Sequence, residues 1–379
     1  MKKAKLLLLL LVGASAGLSP IADACTRFTY EGANGNVLTG RNFDWDRGLN
    51  NVLWVLPAGL TRSGQAGRTA TNPLQGPKDL KWVSKYGSIV VASNGGIGDG
   101  MNEKGLSASL TLDDGLEYGI SPDKKDVSLQ FVVQYVLDNF ATVDEAVKGI
   151  KKINVVGVPV KLPNGSSYEF LLTLTDATGD NAVFQWEKGG MKVYHGKQYN
   201  VTANQSYAPI GKGRLNFGGM YAVRDYYRGV NNYAPTSPQY LPGTYSSEDR
   251  IARLGYSLDH VPKESEINHA RKWTFTLLRS VMPSMPYAEP NVHGADDITG
   301  YATVADLKYK RYYIDVPYLL APYYVDLSRL DLKPGAPMRK LVIATSNGVE
   351  KPQTVEAHTG DVTESLVVSK PDPIWNIKN

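Results

Sequence analysis

The chain has 379 residues, 42% hydrophobic and 21% charged, with a net charge of +4. This balance excludes a disordered chain and offers no basic surface of the kind nucleic acid requires. Beyond Val12 no apolar run approaches the roughly 18–20 residues that cross a bilayer, so a soluble product with no membrane span is expected.

The first residues carry Lys2, Lys3 and Lys5, then an apolar run from Leu6 to Val12, then small and turn-forming residues to Ala24. That is the charged, apolar, A-x-A order of a signal peptide over residues 1–24, cut after Ala24. The cut would leave Cys25, the only cysteine, as the first residue of an exported, periplasmic chain. One residue would then hold an α-amine of pKa about 7.7–8.0 and a thiol of about 8.5. A weak base beside a good nucleophile is the minimum kit for acyl transfer. Two other readings compete. A lone cysteine is often a small buried hydrophobe, and a lipidated cysteine also follows its signal. Lipidation wants an aliphatic residue three before the cysteine and a small one at the next position, where this chain has Ala22 and Asp23.

Cys25 to Tyr30 alternates like a strand, Glu31 to Gly35 reads as a turn, and Asn36 to Arg41 as the returning strand. Such a hairpin would hold Cys25 rigidly and bring Arg41 to Asp44 close to it. Asn51 to Pro57 predicts a further strand, and Thr61 to Pro77 a long loop. Lys81 to Ala92 and Gly105 to Leu112 predict strands joined by a glycine-rich connection, Gly95 to Gly100, that lacks the spacing of a phosphate loop. Helices are predicted over Ser128 to Phe140 and over Val143 to Ile150, the second opened by Thr142 with Glu145 three residues on. Tyr168 to Tyr194 reads as a three-stranded meander, and Tyr199 to Asn204 as another strand. A helix is expected over Tyr221 to Val230 and a loop over Tyr233 to Tyr245. Two helices follow, Ser247 to Leu258 and Glu264 to Val281. Ala302 to Ile314 and Tyr323 to Leu327 read as late strands, and the tail after Lys351 as loosely held. The order of strands, helices, strands, helices, strands points to an α+β fold, with helix layers on antiparallel sheets.

The five histidines show no paired-ligand spacing, so neither metal nor cofactor is expected. Acyl transfer from Cys25 needs an oriented amine, a cation near sulfur and two oxyanion donors. Arg41 and Asp44 are the nearest candidates.

Cys25-Thr26-Arg27-Phe28 followed by Gly40-Arg41-Asn42-Phe43-Asp44 resembles the choloylglycine hydrolase family, which holds penicillin V acylases and conjugated bile salt hydrolases. Ser84-Lys85-Tyr86-Gly87-Ser88, Met101-Asn102-Glu103-Lys104-Gly105-Leu106, Val136 to Ala146, Leu241-Pro242-Gly243 and Asp249-Arg250 extend the resemblance in order over most of residues 25–330. It implies a single N-terminal nucleophile hydrolase domain over residues 25–379, a four-layer αββα sandwich with Cys25 at the end of a central strand. It also implies that Cys25 is the nucleophile and, through its amine, the base. Arg41 and Asp44 would contact thiol and amine, Asn204 would give a side-chain N–H to the oxyanion, and Arg250 would be the family's second site arginine. The other oxyanion donor would be the backbone N–H of Leu112, ten residues after Asn102.

Two departures stand out. Leu112 replaces the Asn of bile salt hydrolases and the Trp of some Gram-negative acylases. Ala203-Asn204-Gln205-Ser206 replaces the usual Thr-Asn followed closely by Pro. Trp45 resembles the Gram-negative acylase branch, where a Trp walls an apolar acyl group, and Leu112 would add aliphatic contact. The implied enzyme is a secreted amidase for a small-molecule amide: penicillin V, N-acyl homoserine lactones, or alternatively bile salt conjugates. A homotetramer is implied by resemblance. The rival from another class is an exported binding protein rich in tyrosine, with 23 Tyr, which would need no cysteine at the cut site.

Overall fold

The computed structural model describes residues 25–45, 50–65, 78–113, 116–157, 169–188, 190–204, 241–283, 298–317, 319–344 and 359–370. The signal peptide expected over residues 1–24 and the helix expected over Tyr221 to Val230 lie outside the described residues.

Strand β1 (Thr26–Glu31) and strand β2 (Val37–Trp45) form the expected hairpin, in register Thr26↔Asn42 to Glu31↔Val37. The turn between them places Asn34 at φ 56° and Gly35 at φ 68°. Asparagine and glycine tolerate that left-handed backbone best. Gly40 lies opposite Phe28, and a Cβ there would run into the Phe28 ring. The glycine of the Gly40-to-Asp44 motif thus lets an aromatic ring lie flat over the neighbouring strand.

The remaining described strands are β3 (Asn51–Leu56), β4 (Thr61–Ser63), β5 (Lys81–Val83), β6 (Ser88–Ser93), β7 (Gly96–Asn102), β8 (Ser107–Leu112), β9 (Lys125–Ser128), β10 (Ile153–Val156), β11 (Phe170–Thr175), β12 (Asn181–Glu187), β13 (Gly190–His195), β14 (Val201–Ala203), β15 (Ile298–Asp306), β16 (Arg311–Asp315), β17 (Tyr323–Asp326), β18 (Arg339–Ala344), β19 (Gly360–Asp361) and β20 (Val367–Val368). One sheet runs β14-β1-β2-β15-β16-β17-β19 and the other β13-β12-β11-β8-β7-β6-β3-β18-β20. Pairing is antiparallel throughout both, except between β17 and β19.

Four α-helices are described. Helix α1 (Leu129–Asn139) is capped by Ser128, α2 (Val143–Ile150) by Thr142, α3 (Ser247–His260) by Ser246 and α4 (Ile267–Arg279) by Glu266. At α2, Thr142 accepts from the Glu145 N–H at 3.2 Å, while Glu145 reaches back to the Ala141 N–H at 2.8 Å. Each cap satisfies backbone donors that a helix start leaves orphaned.

Three apolar clusters define the layers. Val132, Val136 and Leu137 of α1 pack with Val90, Leu110, Leu172 and Phe184 on one face of the nine-stranded sheet. Cys25, Phe43, Leu53, Ile89, Met101 and Tyr301 fill the gap between the sheets. Phe28, Tyr30, Leu38 and Val304 meet Ile251 and Leu254 of α3 and Leu277 and Leu278 of α4. The fold is therefore an αββα sandwich, with side chains alternating between two apolar layers along each central strand.

Several elements differ from the sequence reading. Gly95 to Gly100 is largely strand β7, not a connection. A Cβ on Gly100 would stand 2.5 Å from the Ile89 carbonyl oxygen and 2.9 Å from Leu137 of α1. Gly100 serves close packing of helix on sheet. Lys81 to Ala92 is two strands, β5 and β6, which join different sheets. Ala302 to Ile314 is a hairpin of β15 and β16. Thr61 to Ser63, expected in the loop, pairs with β5. In the tail, β19 pairs with β17 and β20 with β18.

Candidate active site

Cys25 immediately precedes β1 and is 1% exposed. Its Sγ lies 3.6 Å from the Asp44 carbonyl oxygen, its hydrogen-bond acceptor. Side chains alternate along β1, so Cys25, Arg27 and Thr29 face the second sheet while Thr26, Phe28 and Tyr30 face α3 and α4. The register Arg27↔Arg41 carries the same parity onto β2. Arg41 and Phe43 therefore share the thiol's face, and Asn42 and Asp44 share the face of Thr26. The arginine and the aspartate expected to act as a pair stand on opposite faces of one strand.

On the inter-sheet face, Arg41 is 3% exposed. Its Nη2 donates to the Leu110 carbonyl at 2.9 Å and its Nη1 to the Tyr301 hydroxyl at 3.2 Å. The guanidinium carbon lies 5.1 Å from the Phe43 ring centre and 5.9 Å from that of Tyr301, and the two rings stack 5.0 Å apart. Burial opposes the charge, yet Tyr301, Asp99 and Cys25 around it hold the guanidinium pKa above its usual range. Arg27, directly opposite, donates to Thr175 Oγ1 at 2.6 Å. Two buried arginines facing each other across a strand pair are unfavourable on their own. Together they make the electropositive setting that favours a thiolate.

On the helical face, Asp44 is fully buried. Its Oδ1 accepts from Thr299 Oγ1 at 2.5 Å and its Oδ2 from Asn42 Nδ2. Burial pushes its carboxyl up to about 7, against the pull of Thr299, Arg250, Asn42 and Arg41. Arg250 of α3 is also fully buried. Its Nη1 donates to the Cys25 carbonyl at 2.7 Å and to Thr26 Oγ1; its Nη2 donates to Asn204 Oδ1 at 3.2 Å and Ser247 Oγ at 3.1 Å; its Nε donates to the Tyr245 carbonyl at 2.8 Å. Burial lowers its pKa to about 10, while Asp44 and Cys25 act to raise it.

Asn204 follows β14, which pairs with β1 in register Thr26↔Ala203. Its Nδ2 donates to the Leu112 carbonyl at 3.0 Å. A guanidinium only donates and a carbonyl only accepts, so the amide orientation is fixed by its partners. Asp113 N–H donates to the Glu169 carbonyl, so that pair is hydrogen-bonded and Leu112↔Phe170 is not. Leu112 thus turns both its N–H and its carbonyl away from β11, toward Asn204. The two residues expected to supply oxyanion donors are brought together by one hydrogen bond.

The Leu112 side chain does not do what the sequence suggested. It packs in the cluster beneath α1, with Leu110, Phe170 and Leu172, on the far side of the nine-stranded sheet from Cys25. What it presents toward the site is its main chain, so aliphatic contact with an acyl group is corrected to a backbone contribution. Trp45 closes β2; its side chain lies outside the described part of the structure.

Arg27, Asn42, Asp99, Thr299 and Tyr301 went unassigned in the sequence reading. Asn42 had a signal, since its spacing of two from Asp44 on a strand puts both on one face. Asp99 was hidden in the glycine-rich stretch that read as a connection. Thr299 and Tyr301 arrive from β15 with no local signal. Among the described residues no cluster of three or more His, Cys, Asp or Glu could hold a metal ion. Nor is any described helix long and apolar enough to cross a membrane.

An αββα sandwich with a cysteine, a buried arginine and a buried aspartate at the end of a central hairpin has close counterparts. The family profile of linear amide C–N hydrolases, choloylglycine hydrolase family, matches residues 25–332. The chain belongs to this family of linear amide hydrolases. It is 28% identical over 340 residues to a penicillin V acylase from Pectobacterium atrosepticum, covering 83% of this chain and 84% of that one. A bile salt hydrolase/transferase from Clostridium perfringens is 22% identical over 326 residues, covering 76% and 88%. Among solved structures, penicillin V acylase from Agrobacterium tumefaciens superposes with a TM-score of 0.74 at 30% identity, covering 92% of this chain and 98% of that one. A mutant of conjugated bile acid hydrolase from Clostridium perfringens shares the fold, with a TM-score of 0.65 at 17% identity, covering 86% and 99%.

Proposed function

We propose that the protein is a secreted, periplasmic amidase that splits a linear amide with an apolar acyl group through a Cys25 thioester. The carrying observation is Cys25 at the head of β1, with Arg41 on its thiol's face and Asp44, Arg250 and Asn204 gathered beside its backbone. The family match begins at Cys25, which supports removal of residues 1–24.

In this mechanism the thiol passes its proton to the free Cys25 amine while sulfur adds to the acyl carbon. The oxyanion accepts from the Leu112 N–H and from the second N–H of Asn204, the first being used on the Leu112 carbonyl. On collapse the C–N bond breaks, and the ammonium returns its proton to the leaving nitrogen. Water then gives a proton to the amine and attacks the thioester. The C–S bond breaks, the carboxylic acid leaves, and the thiol is restored. Arg41 supplies positive potential at sulfur, and Asp44 faces the amine side of the same residue.

Penicillin V and N-acyl homoserine lactones are the proposed substrates, supported by the similarity to penicillin V acylases and by Trp45. Conjugated bile salts are the second reading, supported by weaker similarity to three bile salt hydrolase/transferases. A homotetramer is proposed from family resemblance and is read by light scattering. The deciding experiment compares chains with and without residues 1–24, masses verified, on penicillin V, an acyl homoserine lactone and glycocholate. Activity should appear only after processing and should vanish in Cys25→Ala by more than about 10³-fold. Full activity in the unprocessed chain, or in processed Cys25→Ala, would sink the mechanism. A strong preference for glycocholate would overturn the substrate assignment alone.

A further inference from the structure

Arg41 is a cation enclosed between two sheets, and among the described residues its guanidinium donates to a carbonyl and a phenol. A buried charge needs an opposite one. The facing sheet provides it. On β15, Thr303 lies directly opposite Arg41, and its Oγ1 donates to Asp99 Oδ2 at 2.6 Å. Tyr312, fully buried on β16, donates its hydroxyl to the same oxygen at 2.5 Å. Gly98, next in sequence to Asp99, lies so near that a Cβ there would stand 3.8 Å from Arg41 Nη2. Asp99 is itself 3% exposed. A carboxylate fixed by two hydroxyls thus lies within the field of the cation that also faces the thiol, without a direct ion pair between them.

We propose that Asp99 is the fixed counter-anion of Arg41 and competes with the Cys25 thiolate for that one cation, so that Asp99 sets how readily the thiol ionises. It is a positioning residue, since it acts through Arg41. Two anions share one guanidinium, and each takes part of its field from the other. The other groups around the thiol are Arg27 on β1, Asp44 on β2, Tyr301 on β15, Tyr312 on β16, Arg250 on α3 and the amine of the processed chain. Asp99 is the anion among them that shares both the inter-sheet face and the immediate neighbourhood of Arg41. The consequence for turnover is a thiol kept protonated until its own amine takes the proton. A permanently ionised thiol would be a weaker nucleophile.

The test uses two substitutions with opposite expected signs in the processed full chain. Asp99→Asn keeps the shape and leaves Arg41 to the thiolate alone. The thiol midpoint should fall by about one pH unit, a tenfold gain in thiolate below it. Tyr312→Phe keeps the ring but removes a hydroxyl that screens Asp99, so the midpoint should rise. Thiolate ultraviolet absorbance is followed against pH, with Cys25→Ala as the blank, alongside alkylation rate by iodoacetamide. Because the chain has a single cysteine, both signals belong to Cys25. In Asp99→Asn, kcat should drop about threefold with KM unchanged, as expected of a less basic nucleophile. A packing defect would move both substitutions the same way, and that result overturns the proposal, as does an unchanged or raised midpoint in Asp99→Asn. If Asp99→Asn does not fold, Tyr312→Phe decides alone, and a midpoint that fails to rise overturns it. The effect on turnover rests on Cys25 being the nucleophile, whereas the midpoints do not. Activity in Cys25→Ala would therefore remove the nucleophile assignment and leave the Asp99 coupling to be judged by titration.

Discussion

Replacing Arg250 by lysine keeps one positive charge beside Asp44 and removes the planar fork. The guanidinium serves five acceptors: the Cys25 and Tyr245 carbonyls, Thr26 Oγ1, Asn204 Oδ1 and Ser247 Oγ. An ammonium has three donors on a compact head. At least two acceptors lose their partner; the Cys25 carbonyl and Thr26 Oγ1 are buried, and the other three are part-buried. Each unsatisfied buried group costs about 1–3 kcal/mol, so Arg250→Lys should destabilise by about 2–6 kcal/mol. Urea unfolding measures this as a fall in midpoint at unchanged slope. Catalysis should suffer separately, because Asn204 loses the bond that fixes its amide. A freed oxyanion donor costs up to about 10²–10³ in kcat, and at least a tenfold loss with little change in KM is expected. Arg250→Lys within about 0.5 kcal/mol of the parent stability, or with full kcat, would refute the view that this fork holds the site together.

Asn204→Ala should lower kcat by roughly 3–4 kcal/mol of transition-state stabilisation, seen in steady-state kinetics; a change confined to KM would mean that another group serves the oxyanion. For Asp44, burial raises the folded carboxyl to about 7, above an unfolded value of about 4. The folded state then keeps a proton that the unfolded chain has lost, so this group's stabilisation is full below about pH 4 and is lost as pH rises to 7. Asp44→Asn should flatten that decline, on the order of a few kcal/mol, in unfolding measured across this range. Leu112→Trp should overpack the layer beneath α1 and cost about 1–3 kcal/mol in thermal unfolding. The ratio of penicillin V to homoserine lactone hydrolysis should stay unchanged, because the side chain points away from the thiol.

Much of this site was legible before any coordinates. The β1–β2 hairpin, the capped helices α1 to α4 and the β11–β13 meander follow from alternation and capping residues, which are local signals. The split of Lys81 to Ala92 into strands of different sheets had no such signal, because pairing partners lie far away in sequence. Cys25, Arg41 and Asp44 were found by motif, yet their opposite faces needed only the odd spacing of three between Arg41 and Asp44. Leu112 and Asn204 were named together through the family resemblance, and the structure joins them by one hydrogen bond, while the Leu112 side chain packs on the far face of the sheet. Parity along β8 decides that, and it depends on which face the helices cover. Asp99 was missed because glycine on both sides reads as a connection, when Gly100 answers to the approach of α1 and Gly98 to that of Arg41.

The placement of Arg41 and Asp44 on opposite faces of β2 also bears on how this enzyme can change. In the proposed mechanism, the acidity of the thiol is governed from residues between the sheets, and the environment of the amine from residues under α3 and α4. Substitutions in one group reach the other through the electric field, as Arg41 acts on Asp44 and Cys25 on Arg250, rather than through a shared side-chain hydrogen bond. A laboratory selection could therefore explore two small, separate sets of positions and recombine the winners with little penalty. Lineages within the family could drift in the same manner, adjusting nucleophile and base on independent schedules while the hairpin that carries both stays fixed.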